Sequence, residues 1–163
     1  MIINAIKKRR SFRTYKSDSV SDEMINEIIK AGQFAPSAMG RSAVEFIVIR
    51  DQKIKEAVFE VIDQDYIKTA PVLIAPVATD QSVLPVQDLS IVSENIFLQA
   101  AELGLGSVWK NLTPVWEEKV KEILGVPKNF RMIDIIPIGF PAEEKPEHSD
   151  EEFKIEKIHQ EKW

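Results

Sequence analysis

Apolar residues recur along this chain at two spacings, and the alternation between them lays out its elements. Ile2, Ile3 and Ile6 share one helical face, which predicts a short helix over 4–10 running into a polar, irregular stretch over 11–18. Ser21 stands where a helix wants its N-cap, and Asp22 and Glu23 follow where acids complement the dipole. Met24, Ile25, Ile28 and Ile29 then form a stripe ending at Gly32. Val44–Ile49 reads as a mostly buried strand, Gln52–Ile62 as a helix with Ile54, Val58, Val61 and Ile62 inward, and 71–78 as a second buried strand. The longest apolar stripe, Leu89, Val92, Ile96, Ala100 and Leu103, predicts a central helix over 86–103. A short strand over 105–109, a helix opened by Thr113 and Pro114 and closed by Gly125, and a strand over 132–138 complete the series. Helices precede the first strand, so the expected class is a mixed sheet with flanking helices, α+β or α/β. From Ala142 onward charge is dense and only Phe153, Ile155, Ile158 and Trp163 stand out as large apolar residues, so this tail is expected to be an arm packing on another surface.

Composition narrows the chemistry. With 163 residues, 44% hydrophobic and 29% charged, the chain is long enough for a core, and without a linker or repeat residues 1–163 are expected to form one domain. No apolar run reaches the roughly 20 residues of a membrane span, and the N-terminus lacks a signal-peptide core, so a cytoplasmic location is expected, with no membrane partner. The absence of cysteine removes thiol nucleophiles, disulfides and Cys-based metal sites. The two histidines, His148 and His159, both fall in the charged tail, which argues against a Ser-His-Asp triad or a metal site. A net charge of −5 disfavours a nucleic-acid binder.

Three segments stand out. Lys7, Lys8, Arg9, Arg10, Arg13 and Lys16 gather six of the 21 basic residues, with Ser11 and Thr14 between them. Such a cluster suits a phosphate, since arginine offers a planar fork of donors, or it is a solvated basic loop. The small residues of 35–43 let a backbone approach a flat ligand, or they form an ordinary helix-to-strand loop. The run Leu103-Gly104-Leu105-Gly106-Ser107-Val108-Trp109 lacks the third glycine of a dinucleotide fingerprint and follows a helix instead of opening one, so Gly104 reads as a helix C-cap.

Taken in order, Arg9-Arg10-Ser11-Phe12-Arg13-Thr14-Tyr15, Ala35-Pro36-Ser37-Ala38-Met39, Asp88 and Asn95 with Leu98 and Ala101, the Gly104 to Trp109 run, and Pro137-Ile138-Gly139-Phe140-Pro141 resemble the nitroreductase family of FMN-dependent oxidoreductases. The resemblance spans nearly the whole chain. It implies an α+β homodimer with FMN at the subunit interface and a tail that packs on the partner. On that resemblance Arg9, Arg10, Ser11 and Arg13 hold the phosphate, ribityl and pyrimidine side of FMN. Pro36, Ser37, Ala38 and Met39 come from the partner against the ring system. A backbone amide near Lys110 or Asn111 faces flavin N5, Gly106, Ser107 and Trp109 shape the same wall, and Gly139 closes the phosphate end. Tyr66, with Phe59, falls where the family often lines its active site.

Two departures bear on the site. Where the family usually has Asn, a variable residue and Gln-Pro-Trp, this chain has Gly40-Arg41-Ser42-Ala43-Val44, which leaves Arg41 as a candidate substrate contact or a solvent-facing cation. The basic pair usual after the last Pro motif is reduced to Lys145. The resemblance implies hydride passing from NAD(P)H through FMN to a small-molecule acceptor such as a nitroaromatic, quinone or flavin, in a ping-pong cycle with no catalytic side chain. The alternative is a non-catalytic flavin-binding or storage module. Trp116 is expected to be a core or interface aromatic, His148 and His159 surface residues, and Trp163 an anchor for the tail.

Overall fold

The computed structural model describes residues 2–163. Its elements are α1 (Asn4–Lys8), α2 (Asp22–Gln33), β1 (Val44–Ile49), α3 (Gln52–Ile62), α4 (Asp65–Thr69), β2 (Val72–Ala78), α5 (Pro85–Glu102), β3 (Gly106–Ser107), β4 (Lys110–Asn111), α6 (Pro114–Leu124) and β5 (Asp134–Gly139). The strands form one sheet in the order β1-β2-β5-β3, with β4 also pairing β5, and these pairs are all antiparallel. A parallel bridge, Ser11 to Ser107, adds the N-terminal segment at the β3 edge.

Alternation along the two central strands divides the core. Leu73, Ala75 and Val77 of β2 and Ile135 of β5 point to one face, where Val58 and Ile62 of α3, Tyr66 and Ile67 of α4 and Val120 of α6 cover them. Val72, Ile74, Ile136 and Ile138 point to the other, under Ile25 and Ile28 of α2 and Val92, Ile96 and Phe97 of α5. Both strands are buried on both faces, which is why they read as unbroken apolar runs. Helix α5 is the expected central helix, and Gly104 ends it at φ 75° with its N–H donated to Ala101 and that of Leu105 to Ala100, a Schellman closure. Ser21 and Thr113 cap α2 and α6 as read from the sequence; Asp51, which accepts from the Ile54 N–H, caps α3 as well.

Three expectations need correction. β1 is an edge strand in which only Ile49 is buried; its apolar run resembles a two-sided strand, but among the described residues nothing pairs its outer edge. The strand expected over 105–109 is two short pieces, because the ladder to β5 breaks at Val108 and Trp109 and resumes at Lys110. Helix α4 was not expected, since five residues are too few to show a period, yet Tyr66 and Ile67 bury its inner side.

Candidate functional site

The basic N-terminal segment lies across the β3–β5 edge. The Phe12 N–H donates to Ser107 O at 2.9 Å, the Lys16 N–H to Phe140 O at 2.8 Å, and the Tyr15 hydroxyl to Phe12 O at 2.7 Å. Two glycines make room for it. Gly106 and Gly139 are cross-strand partners, and a Cβ on Gly106 would lie 2.8 Å from Phe12 Cβ, whereas one on Gly139 would lie 2.5 Å from Pro71 Cδ and 3.1 Å from Tyr15 Cδ1. Any other residue at either position must displace the segment or Pro71. Burial raises the Tyr15 phenol far above its ordinary value, with the charge of Tyr66 adding to the effect, so it stays a donor.

This docking brings Arg9, Ser11, Ser107 and Trp109 around one cavity of about 310 Å³, closed on its other side by Glu94 and Phe97 of α5. Val108 completes the wall. Residues nearly a hundred positions apart thus meet at one site, whose lining residues carry a guanidinium, two hydroxyls, an indole and one carboxylate. The donor set suits a phosphorylated, flat ligand. Gly106 and Gly139 serve this site indirectly, by holding the segment close.

The other expected residues are placed differently. Arg10 turns to the tail: its Nε donates to Pro146 O at 2.8 Å, and its Nη2 donates to Glu147 O at 3.2 Å and Glu152 Oε1 at 2.8 Å. His148 reinforces that seam, its backbone N–H donating to Lys7 O at 2.9 Å while its ring lies 3.0 Å from Arg9 O and 2.6 Å from Glu152 Oε2. It is therefore a fastening residue rather than a free surface side chain. Lys145 donates to Ser11 O at 2.8 Å and pairs with Glu143. Arg13 is exposed and faces Tyr66, whose phenol burial pushes up against the lowering effect of that cation. Tyr66 itself is buried in the core beneath α3 and does not line the cavity of its own chain, so the substrate contact expected of it is not formed there.

Loop 35–43 lies elsewhere. Pro36, Ser37, Ala38 and Met39 do not line the Arg9 cavity. The loop is held by Asp88 of α5, buried, whose Oδ1 accepts from the Ala38 N–H at 2.8 Å and Oδ2 from the Ser82 hydroxyl at 2.6 Å. Ser37 Oγ accepts from the Ser42 N–H at 2.8 Å. Met39 and Ser42 adopt φ of 57° and 48°, a region costly for side chains, and Met39 is 78% exposed. Arg41 donates to Gln81 O at 3.2 Å. The loop offers an apolar tip outward instead of closing over its own chain.

Lys110 lays its ammonium 4.1 Å over the half-buried Trp116 ring, and burial lowers its pKa. Asn111 is exposed beside it. Sequence reading missed Ser93 and Asp134, which meet behind Trp109 from α5 and β5. No local pattern links positions 41 residues apart, and the sole cue was an acid inside an apolar strand. Among the described residues no group of three His, Cys, Asp or Glu is placed to hold a metal, and no helix is long and apolar enough to cross a membrane.

Comparison with known proteins gives this geometry its context. A relative from Methanothermobacter thermautotrophicus, provisionally named an NADH dehydrogenase/NAD(P)H nitroreductase, is 38% identical over 170 residues, covering 99% of this chain and 87% of the relative. One of the same name from Archaeoglobus fulgidus is 36% identical, covering 99% of this chain and 98% of its own. The solved structure of an FMN-dependent nitroreductase from Clostridium difficile superposes with a TM-score of 0.93 at 32% identity, over 99% of this chain and all of that one. The sequence model described as the Nitroreductase family matches residues 6–65 and 58–140, which takes in both the docked N-terminal segment and the β5 edge. A family match across most of the chain, met by the same fold and by relatives at this identity, makes the protein a member of the nitroreductase family.

Proposed function

We propose that this chain is an FMN-dependent oxidoreductase that uses NAD(P)H to reduce a small oxidised acceptor such as a nitroaromatic, a quinone or a flavin. The reading rests on one observation above others: Arg9, Ser11, Ser107 and Trp109 surround a single cavity in a member of the nitroreductase family. Those residues fit FMN. The Arg9 guanidinium and the Ser11 and Ser107 hydroxyls suit its phosphate and ribityl oxygens, and the backbone at Lys110 and Asn111 lies beyond the same wall. Arg13 supplies further positive charge at that edge, while Arg10 contributes field rather than direct contact because the tail occupies its donors. Bound FMN supplies hydride chemistry at N5, between NAD(P)H and an acceptor that use the site in turn.

The protein's own task is to bind, orient and shield. In this proposal the site is completed by a second copy of the chain: loop 35–43 projects Met39 outward, and Phe153, Ile155, Ile158 and Trp163 of the tail are exposed. Pro36, Ser37, Ala38 and Met39 of one copy then cover the cavity of the other, with Arg41 and Tyr66 as the candidate acceptor contacts.

The test is an absorption spectrum of the purified protein, chromatography of what heat releases, and NAD(P)H oxidation with quinone and nitroaromatic acceptors. Released FMN with acceptor-dependent turnover is the expected result. Bound FMN without turnover under either nicotinamide favours a flavin-binding module. A protein that neither carries nor takes up FMN overturns both.

A further inference from the structure

Behind the cavity wall, Asp134 of β5 is fully buried between α5 and the sheet. Both of its donors reach one oxygen: Ser93 Oγ–H and Trp109 Nε1–H each donate to Oδ2 at 2.7 Å. Oδ1 is buried with no hydrogen-bond partner. A buried polar atom without a partner costs stability, so retention of this carboxyl inside an apolar strand calls for a reason other than the fold. The position of Trp109 supplies one. That indole is 53% exposed and forms a wall of the Arg9–Ser11–Ser107 cavity, yet its N–H edge is tied inward. An aromatic ring at a surface without such a tie samples several rotamers; a ring with one edge fixed presents a single face.

We propose that Asp134, steered by Ser93, is a positioning residue that fixes the Trp109 indole and through it one wall of the Arg9–Ser11–Ser107 cavity, the site that flavin and acceptor share in the reading above. It touches neither cofactor nor acceptor. The inference rests on the functional reading above for its consequence, but its geometry is independent of any bound group. The acceptor class it favours is a planar aromatic, for which a fixed apolar face restricts orientation, and the class it affects least is a small acceptor that does not need that face.

Two measurements test it. On the protein without flavin, the indole ¹H–¹⁵N signal of Trp109, assigned with Trp109→Phe, is expected to move upfield in Asp134→Leu and to stay near its original position in Asp134→Asn. The asparagine amide oxygen keeps an acceptor in the same place. On the flavin-loaded enzyme, Asp134→Leu and Trp109→Phe are each expected to raise the KM for a planar nitroaromatic by about tenfold with kcat within about twofold, the effect of one lost positioning bond. The double variant is expected to be no worse than either single one, and Asp134→Asn to recover most of the loss.

An indole signal unmoved in Asp134→Leu overturns the proposal, as do KM effects that multiply in the double variant. If no variant, nor the unaltered chain, turns over, the functional reading fails while the indole signal still decides this one. Ser93→Ala keeps the carboxylate if Asp134→Leu does not fold, and it is expected to broaden the same signal; an unchanged signal there counts against the steering role.

Discussion

Two segments stand out in the sequence as candidate ligand contacts, one for its basic residues and the other for its small ones, and the fold treats them in opposite ways. Segment 9–16 is drawn into the sheet by backbone bonds at Phe12 and Lys16 and a bridge at Ser11, and it lies over two glycines that leave no room for a side chain. Loop 35–43 is held at its centre by one carboxylate, Asp88, and at its far end by Arg41 on Gln81 O and the Thr79 N–H on Ala43 O, with its tip exposed and two non-glycine residues at positive φ. The first is fixed by the register of a sheet, which few single changes disturb. The centre of the second is fixed by a side chain, which one substitution removes. A half-site that must be ready before its ligand arrives belongs on the first kind of support, and a surface that adapts to another molecule belongs on the second.

The contrast breaks most severely at the glycines. Gly139→Ala places a Cβ against Pro71 and Tyr15, and it is expected to cost about 3 kcal/mol or more in urea unfolding, because overpacking here has no soft neighbour to move. A cost under about 1 kcal/mol would show that the segment is less tightly fixed than its backbone bonds imply.

The carboxylates behind the two loops sharpen it next. Asp88 has a donor on each oxygen, whereas Asp134 has both on one, and burial pushes the Asp134 carboxyl up to about 6 against the opposing pull of Ser93 and Trp109. Its folded-state value lies above the unfolded one, so the native protein holds the proton more tightly and stability falls as pH rises through that window. Between roughly pH 4 and 6 the unaltered chain is expected to lose up to about 3 kcal/mol relative to Asp134→Asn. Parallel stability curves for the two proteins would refute this.

Asp88→Ala, a smaller effect of about 2 kcal/mol, leaves the Ala38 N–H and Ser82 without acceptors. Hydrogen exchange is expected to quicken across 35–43 and to stay unchanged at Phe12 and Lys16; equal change in both loops would erase the distinction between them. Smallest is Met39→Gly, which relieves a left-handed backbone and is expected to stabilise by about 0.5 kcal/mol, with a thermal melt as the check.

Much of this was legible in the sequence, and what was not has a physical cause. β2, β5 and α5 were readable because most of their apolar residues are buried inside this chain, so the pattern reports that burial. β1 misled because its pattern, Phe46, Ile47 and Val48, does not say what lies beyond an edge. Arg9, Ser11 and Ser107, which line one cavity, could be singled out from their motifs. The contacts of Arg10 could not be read, because its partners Pro146, Glu147 and Glu152 lie over 130 residues away. Asp134 and Ser93 were hidden for the same reason: a hydrogen bond across layers leaves no mark in local spacing.

The seam between Arg9, Arg10 and the 146–152 stretch ties the start of the chain to its end. A protease nick just before residue 146 would therefore be felt first around residues 9 and 10, where the Arg10 guanidinium would lose its Glu152 carboxylate, the Arg9 guanidinium would lose the His148 ring, and both would gain freedom to swing. The freedom of the basic corner is in this sense governed from more than 130 residues away, by the 146–152 stretch that holds it.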